Sequence, residues 1–313
     1  MLARRLCLGL GVEFIFYGIV GVLLIHYAAW QPWAVVLLAI GVAISFRALL
    51  LASTFIGAWL YRAERPPAMQ IDYWQAVRLY VNELSVFLLL YCFLQPLERW
   101  LMHHDPNPNL APQGPPVLLI HGFFCNSAVW WAMKRYLTRR GLTRVFTINM
   151  EPIFGIININ RLADQVAARI EQICQITGAR KVILVGHSMG GLATRAYLHR
   201  NMNRDRVAKI ITLGTPHRGT RHVQLFRRVG LRQMRPQNRW LTKLNQTEIP
   251  SLPVPIISIY SYHDNFITPQ DSSQLTHAKN LPLAGIGHLE MVFSHRCQEL
   301  VYQEISEVAA VAA

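Results

Sequence analysis

Acidic side chains are scarce in this chain. Only 17 Asp and Glu stand against 31 Lys and Arg in 313 residues, a formal charge of +14. Charged residues of both signs make up 15% and apolar residues 52%. That balance excludes a disordered chain and argues against an ordinary soluble protein. Cysteine is limited to five residues, unevenly spread, which rules out a disulfide framework. Cys7 and Cys92 lie in apolar runs, and Cys125, Cys174 and Cys297 lack metal-ligand spacing, so all five read as small core hydrophobes and no metal site is expected. No internal repeat is present. No nucleic-acid-binding motif accompanies the positive charge, which excludes nucleic acid as the expected partner.

What is abundant is apolar sequence, and it is unevenly placed. Residues 103–116, from His103-His104-Asp105-Pro106 to Gly114-Pro115-Pro116, are rich in proline and polar side chains and read as a linker. They separate membrane-anchor helices over 1–102 from a second domain over 117–313. His103 and His104, with no other ligand cluster nearby, belong to that solvated linker.

Three apolar runs precede it. Leu6 to Trp30 is long enough to cross a bilayer as a helix. It is too long for a signal peptide, and no small-residue cleavage site follows, so it reads as a retained anchor. Trp33 to Tyr61 is also long enough. Gln31-Pro32 makes a tight turn between them, flanked by Trp30 and Trp33, so the pair reads as a helical hairpin. The positive-inside rule puts Arg4, Arg5, Arg62 and Arg65 in the cytoplasm, as for a multi-pass protein of a bacterial inner membrane. Glu13 lies 18 residues before Gln31 and Arg47 16 residues after it. At about 1.5 Å of rise per residue the two sit at similar depth. Either they pair, because lone membrane charges are costly, or each snorkels separately. The third run, Leu84 to Leu94, has an unbroken core of about eleven residues, typical of an interfacial or buried helix. Two crossings would leave the second domain in the cytoplasm, three outside it.

From Val117 the pattern changes. Val117–Ile120, Arg144–Ile148, Lys181–Val185, Val207–Leu213 and Val254–Tyr260 read as short buried strands. Arg161–Ile176 has helical spacing, with Leu162, Val166, Ile170 and Ile173 on one face; further helices are expected near Met189–His199 and Leu289–Val308. Strands alternating with helices predict an α/β domain with a mostly parallel sheet.

Gly186-His187-Ser188-Met189-Gly190 fits G-x-S-x-G between a predicted strand and a predicted helix. That is the strained strand-to-helix elbow, on which a serine is held exposed at the sheet edge. A serine hydroxyl needs a base to become a nucleophile. In folds built on this elbow the partners follow in the order serine, acid, histidine. Asp264 stands just past the fifth strand and His288 in Gly285-Ile286-Gly287-His288, so Ser188, Asp264 and His288 are the expected catalytic set; Asp271 is the alternative acid. His263, His277 and His295 read as solvated or structural, and His121 as structural. Oxyanion donors are expected from the backbone N–H groups of Met189 and of Phe123, in the loop after the first strand. Phe123, Phe124, Trp130 and Trp131 either wall an acyl-chain site or pack in the core; Phe124 and Trp130 are the substrate-binding candidates.

These stretches resemble the α/β-hydrolase superfamily, and within it compact bacterial lipases and esterases. The resemblance rests on Leu119-Ile120-His121-Gly122-Phe123, on Val185-Gly186-His187-Ser188-Met189-Gly190-Gly191-Leu192, on Leu213-Gly214-Thr215-Pro216-His217-Arg218-Gly219-Thr220 and on the Asp264 and His288 regions. It implies hydrolysis of carboxylic esters, often of lipids, without a cofactor. The sheet lacks the first two strands of larger members, and the N-terminal third has no counterpart in secreted lipases. No acidic pair matches the calcium site of some lipases. An acyltransferase using the same three residues and a non-catalytic membrane scaffold are the rival readings.

Hydrolases commonly insert a cap after the fourth strand, here about 217–250. From Arg195 to Lys243 there are thirteen Lys or Arg and one acid, Asp205, interleaved with Leu225, Phe226, Val229, Leu231, Met234 and Trp240. The stretch reads either as a lid facing anionic lipid headgroups or as a solvated basic surface.

Overall fold

The computed structural model describes residues 2–102, 105–107, 114–151, 158–200, 204–224, 226–247 and 254–312. Helices α1 (Leu2–Ala28) and α2 (Pro32–Leu60) form the expected hairpin, with Pro32 in the first turn of α2, where its missing N–H costs nothing. Both are long and apolar enough to cross a membrane, and side chains such as Phe14, Phe16, Leu37 and Phe46 are exposed along them. The two hairpin charges pair. Arg47 Nη1 and Nη2 donate to Oε1 and Oε2 of Glu13 at 2.8 and 2.5 Å, and the Tyr17 hydroxyl donates to Oε1 at 3.1 Å.

The third apolar run forms a helix twice as long as its eleven-residue core suggested. Helix α3 (Tyr73–Leu89) continues through a π-helical turn (Leu90–Leu94), 22 residues in all. Its start is a capping box: Gln75 N–H donates to Asp72 Oδ1, and Asp72 N–H donates to Gln75 Oε1. Its length and composition would also suit a span, yet it lies along the domain that follows. Asn82 and Glu83 bond residues 289–290, the Tyr91 hydroxyl donates to Phe124 C=O, and Gln95 bonds Asn126. Leu90, Leu94 and Met102 share a core with Val117, Leu119 and Val129, so α3 and the short α4 (Glu98–Leu101) pack with the sheet domain. Of the expected linker, residues 103–104, with both histidines, and 108–113 lie outside the described residues.

The sheet has six parallel strands: β1 (Val117–Ile120), β2 (Val145–Ile148), β3 (Val182–His187), β4 (Val207–Leu213), β5 (Ile256–Ser261) and β6 (Lys279–Leu283), in the order β2-β1-β3-β4-β5-β6. β6 is not among the five strands expected from the sequence. It lies at the sheet edge, where Pro282 is tolerated. Side-chain alternation divides the interior in two. Leu118, Ile120, Leu184 and Ile210 pack against α6 (Ile159–Thr177) and α7 (Met189–Arg200). Val117, Leu119, Val185 and Ile211 pack against α5 (Trp131–Arg139) and α10 (His295–Ala312). The expected closing helix from Leu289 begins instead as a 3-10 turn (Glu290–Val292) before α10.

The cap between β4 and β5 carries α8 (Val229–Gln233) and α9 (Arg239–Thr247), whose Leu231, Leu241 and Leu244, with Met234, turn inward to the first core; Leu225 is outside the described residues. The positive charge of the stretch from Arg195 to Lys243 is less available than the sequence suggests. Arg195 is buried against His217 and Asn245, Lys209 is buried against Glu304 and Glu307, and Arg200, Arg206 and Arg218 pair with Asp164, Glu171 and Asp271. Arg227, Arg228 and Arg232 are exposed beside the exposed Phe226 and Val229.

Candidate active site

Ser188 sits at the end of β3 with φ +54°, a left-handed conformation that a residue with a Cβ adopts only under constraint. The constraint comes from both sides. Its N–H donates to Leu213 C=O at 2.8 Å. A Cβ on Gly190 would lie 2.3 Å from Ile120 C=O, and one on Gly186 would lie 2.7 Å from the Gly191 backbone, so only glycines let the elbow close. Met189 opens α7, so its N–H has no acceptor within the helix. The loop after β1 crosses the same point: a Cβ on Gly122 would fall 2.8 Å from Ser188 Cβ. Phe123 follows, and Phe124 takes φ +56°. His121 is structural as expected. Its Nε2 accepts from Met150 N–H at 3.0 Å, which leaves Nδ1–H to donate to Gly122 C=O, and burial lowers its pKa to about 4.

His288 Nδ1–H donates to Asp264 Oδ2 at 2.8 Å, while Asp264 Oδ1 accepts from Phe266 and Ile267 N–H at 2.7 and 2.8 Å. Burial works against the imidazolium, but the charge of Asp264, its hydrogen bond and the charge of Glu83 outweigh it, and the pKa of His288 is raised above its ordinary value. This pair adjoins Ser188. A Cβ on Gly214, the residue after Leu213, would lie 3.0 Å from Asp264 Oδ2 and 3.2 Å from His288 Nδ1. The ring of His187, one residue before Ser188, lies 4.6 Å from that of His288. A hydroxyl beside a carboxylate-tied imidazole can lose its proton and attack a carbonyl carbon.

Three residues that the sequence reading did not weigh fix the backbone around His288. His288 N–H donates to Asn265 Oδ1 at 3.1 Å, and His187 Nε2–H donates to His288 C=O at 3.1 Å. Burial holds the His187 ring neutral. The third is Glu83 of α3, whose Oε1 and Oε2 accept from Leu289 and Glu290 N–H at 2.9 and 2.8 Å. Asn265 and His187 adjoin predicted residues, so local inspection would have found them; Glu83 is some two hundred positions from His288 and carried no local signal. Helix α2 reaches the same loops. Asn265 Nδ2 donates to Thr54 Oγ1 at 2.8 Å, and His222 of the cap bonds Thr54 C=O and Thr268.

The other candidates separate clearly. Asp271 pairs with Arg218 at the surface, away from His288. His263 accepts from Gly285 N–H, and burial lowers its pKa to about 4; His295 packs edge-on to Tyr136. Phe124 is half-buried and stacks on Tyr91. Trp130 is wholly buried, at the end of a 3-10 turn (Ser127–Trp130) whose four residues are all buried; of the two readings its indole follows core packing, with its ring edge-on to that of His187 at 6.3 Å.

Residues 115–237 match the family model described as alpha/beta hydrolase fold. Over 111 residues the chain is 35% identical to a triacylglycerol lipase of Pseudarthrobacter phenanthrenivorans, covering 34% of each chain. It is likewise 35% identical to a triacylglycerol lipase of Burkholderia plantarii, over 34% of this chain and 30% of that one. The chain thus spans about a third of the length of these curated relatives. In three dimensions it is similar to the mature Bacillus licheniformis lipase BlEst2, with a TM-score of 0.56 and 19% identity over 64% of this chain and 96% of that one.

Proposed function

Residues 117–313 carry the α/β-hydrolase fold in a form similar to that of lipases and esterases, and from that premise we propose that this protein is a membrane-anchored serine hydrolase of lipid-like carboxylic esters. Ser188 Oγ attacks the ester carbonyl carbon as His288 takes its proton. The oxyanion is met by Phe123 and Met189 N–H. The imidazolium, held by Asp264, returns the proton to the departing alkoxide, and the alcohol leaves an acyl-serine. Water, deprotonated by His288, then releases the acid. The observation that carries this reading is the 2.8 Å bond from His288 to Asp264, held beside a serine at φ +54°. The test is labelling by a fluorophosphonate probe together with a chain-length series of esters. Ser188→Ala should lose labelling and hydrolysis together; product analysis with added alcohols separates hydrolysis from acyl transfer. Hydrolysis that persists in Ser188→Ala would refute the assignment.

The membrane assignment is supported by α1 and α2, whose acidic and basic side chains are the Glu13–Arg47 pair and, near the ends of α1, Arg4, Arg5 and His26. With α3 lying along the catalytic domain, two crossings put Arg4, Arg5, Arg62 and the hydrolase domain on one side, the cytoplasmic one by the positive-inside rule. The exposed strip of Phe226, Arg227, Arg228, Val229 and Arg232 lies on the cap, which meets α2 at Thr54 and Tyr61, and suits an anionic membrane surface. Topology reporters fused to the two termini should both read cytoplasmic.

A further inference from the structure

The Glu83 carboxylate is fully buried in the seam between α3 and the sheet domain, with its two oxygens on two successive backbone N–H groups. Those groups belong to Leu289 and Glu290, directly after His288. The fit is close: a Cβ on Gly287 would lie 2.4 Å from Glu83 Oε2, so the residue before the histidine has to be glycine for the carboxylate to enter. Burying an ionisable group is costly unless its hydrogen bonds are met, and here they are met by one turn only. Asn82, the neighbour of Glu83, donates to Glu290 Oε1 at 2.9 Å, and Gly287 N–H donates to Glu290 Oε2 at 3.3 Å, so the turn is gripped along its length.

We infer that Glu83 is a positioning residue of the catalytic site: through the backbone at 289–290 the N-terminal helical region sets the place of the His288 imidazole. The inference rests on His288 being the base of the proposed reaction. Among the described residues the remaining holds on His288 come from the sheet domain itself, through Asp264, Asn265 and His187. Glu83 is the hold that α3 places on the backbone directly after His288, with Asn82 beside it on Glu290 and Thr54 of α2 reaching Asn265. The charged and titratable groups around the imidazole are Asp264 from the loop after β5, His187 from β3 and Glu83 from α3; Glu290 is engaged by Asn82, and His222 of the cap by Thr54 and Thr268.

Full-length Glu83→Gln keeps the side-chain volume but sets an NH2 group against an N–H donor and removes the charge. Per folded molecule, kcat should fall by up to about 10²-fold, the cost of a misplacement near 1 Å, with KM within about twofold. Burial pushes the Glu83 carboxyl up to about 7, so its charge favours the imidazolium only where Glu83 is ionised, and in Glu83→Gln the acid limb of the kcat/KM profile should move modestly to lower pH. Glu83→Ala should lose at least as much. Glu304→Gln, which breaks the ion pairs of α10 with Lys209 and Lys279, serves as a purely destabilising comparison and should keep kcat and the pH limb. An unchanged kcat and limb in folded Glu83→Gln, or a loss that Glu304→Gln shares at an equal fall in Tm, would overturn the inference while leaving the proposed reaction intact. Activity retained in His288→Ala would overturn both.

Discussion

Asp264 commits one oxygen to two backbone N–H groups and the other to His288, so it cannot rotate without losing three hydrogen bonds. Asp264→Asn should therefore keep the fold and lose about 10⁴-fold in kcat, because an amide nitrogen facing Nδ1 selects the wrong imidazole tautomer. The pH consequence has a definite sign. The pKa of His288 is raised, so the neutral base is depleted as pH falls through a value above 6.5. Without the Asp264 charge, the acid limb of kcat/KM should move down, which a pH–rate profile of the residual activity checks. Gly190→Ala places a methyl group against Ile120 C=O, backbone that cannot step aside. Overpacking of that kind costs about 1–3 kcal/mol, read as a lowered Tm with loss of probe labelling at Ser188. These residues were legible in the sequence because G-x-S-x-G and the serine–acid–histidine order are local or ordered signals. Glu83 was not, because its role exists only where two distant segments meet.

Helices α1 and α2 show how far composition alone reaches. Their ends fall within a few residues of the apolar runs, and the depth arithmetic that brought Glu13 level with Arg47 corresponds to a two-pronged ion pair. Arg47→Gln should lower the Tm, and Glu13→Gln in the same chain should recover much of that loss, since an unpaired buried charge costs more than an absent pair; a double-mutant cycle measures the coupling. Helix α3 was half-read. The apolar count stopped at the polar pair Asn82-Glu83, but those two side chains are satisfied by the Leu289-Glu290 turn, so the helix runs on through them to its capping box. Asp72→Ala should cost about 1 kcal/mol, as loss of a cap does. Edge strand β6 escaped for a related reason: Lys279, Asn280 and Pro282 spoil the apolar pattern, and only pairing with β5 makes them a strand.

Taken as a whole, the molecule joins an apolar helical hairpin to a six-stranded α/β sheet through contacts that converge on the loops carrying Asp264 and His288. Its interior also makes it acid-sensitive. His121 is buried with its pKa at about 4, whereas in the unfolded chain it would take a proton near 6.5. The unfolded state therefore binds more protons below 6.5, and stability falls as pH drops towards about 4. At pH 5 this one group accounts for about 2 kcal/mol. Thermal melts at pH 7 and 5 should show the loss, reduced in His121→Gln. The placement of α3 also bears on how the protein can be handled without its apolar hairpin. Leu90, Leu94 and Met102 complete an interior whose other half begins at Val117. Trimming the protein back to its sheet would leave a greasy trench and a slack histidine turn, so a water-soluble version has to be severed upstream, in the short stretch joining the hairpin to α3.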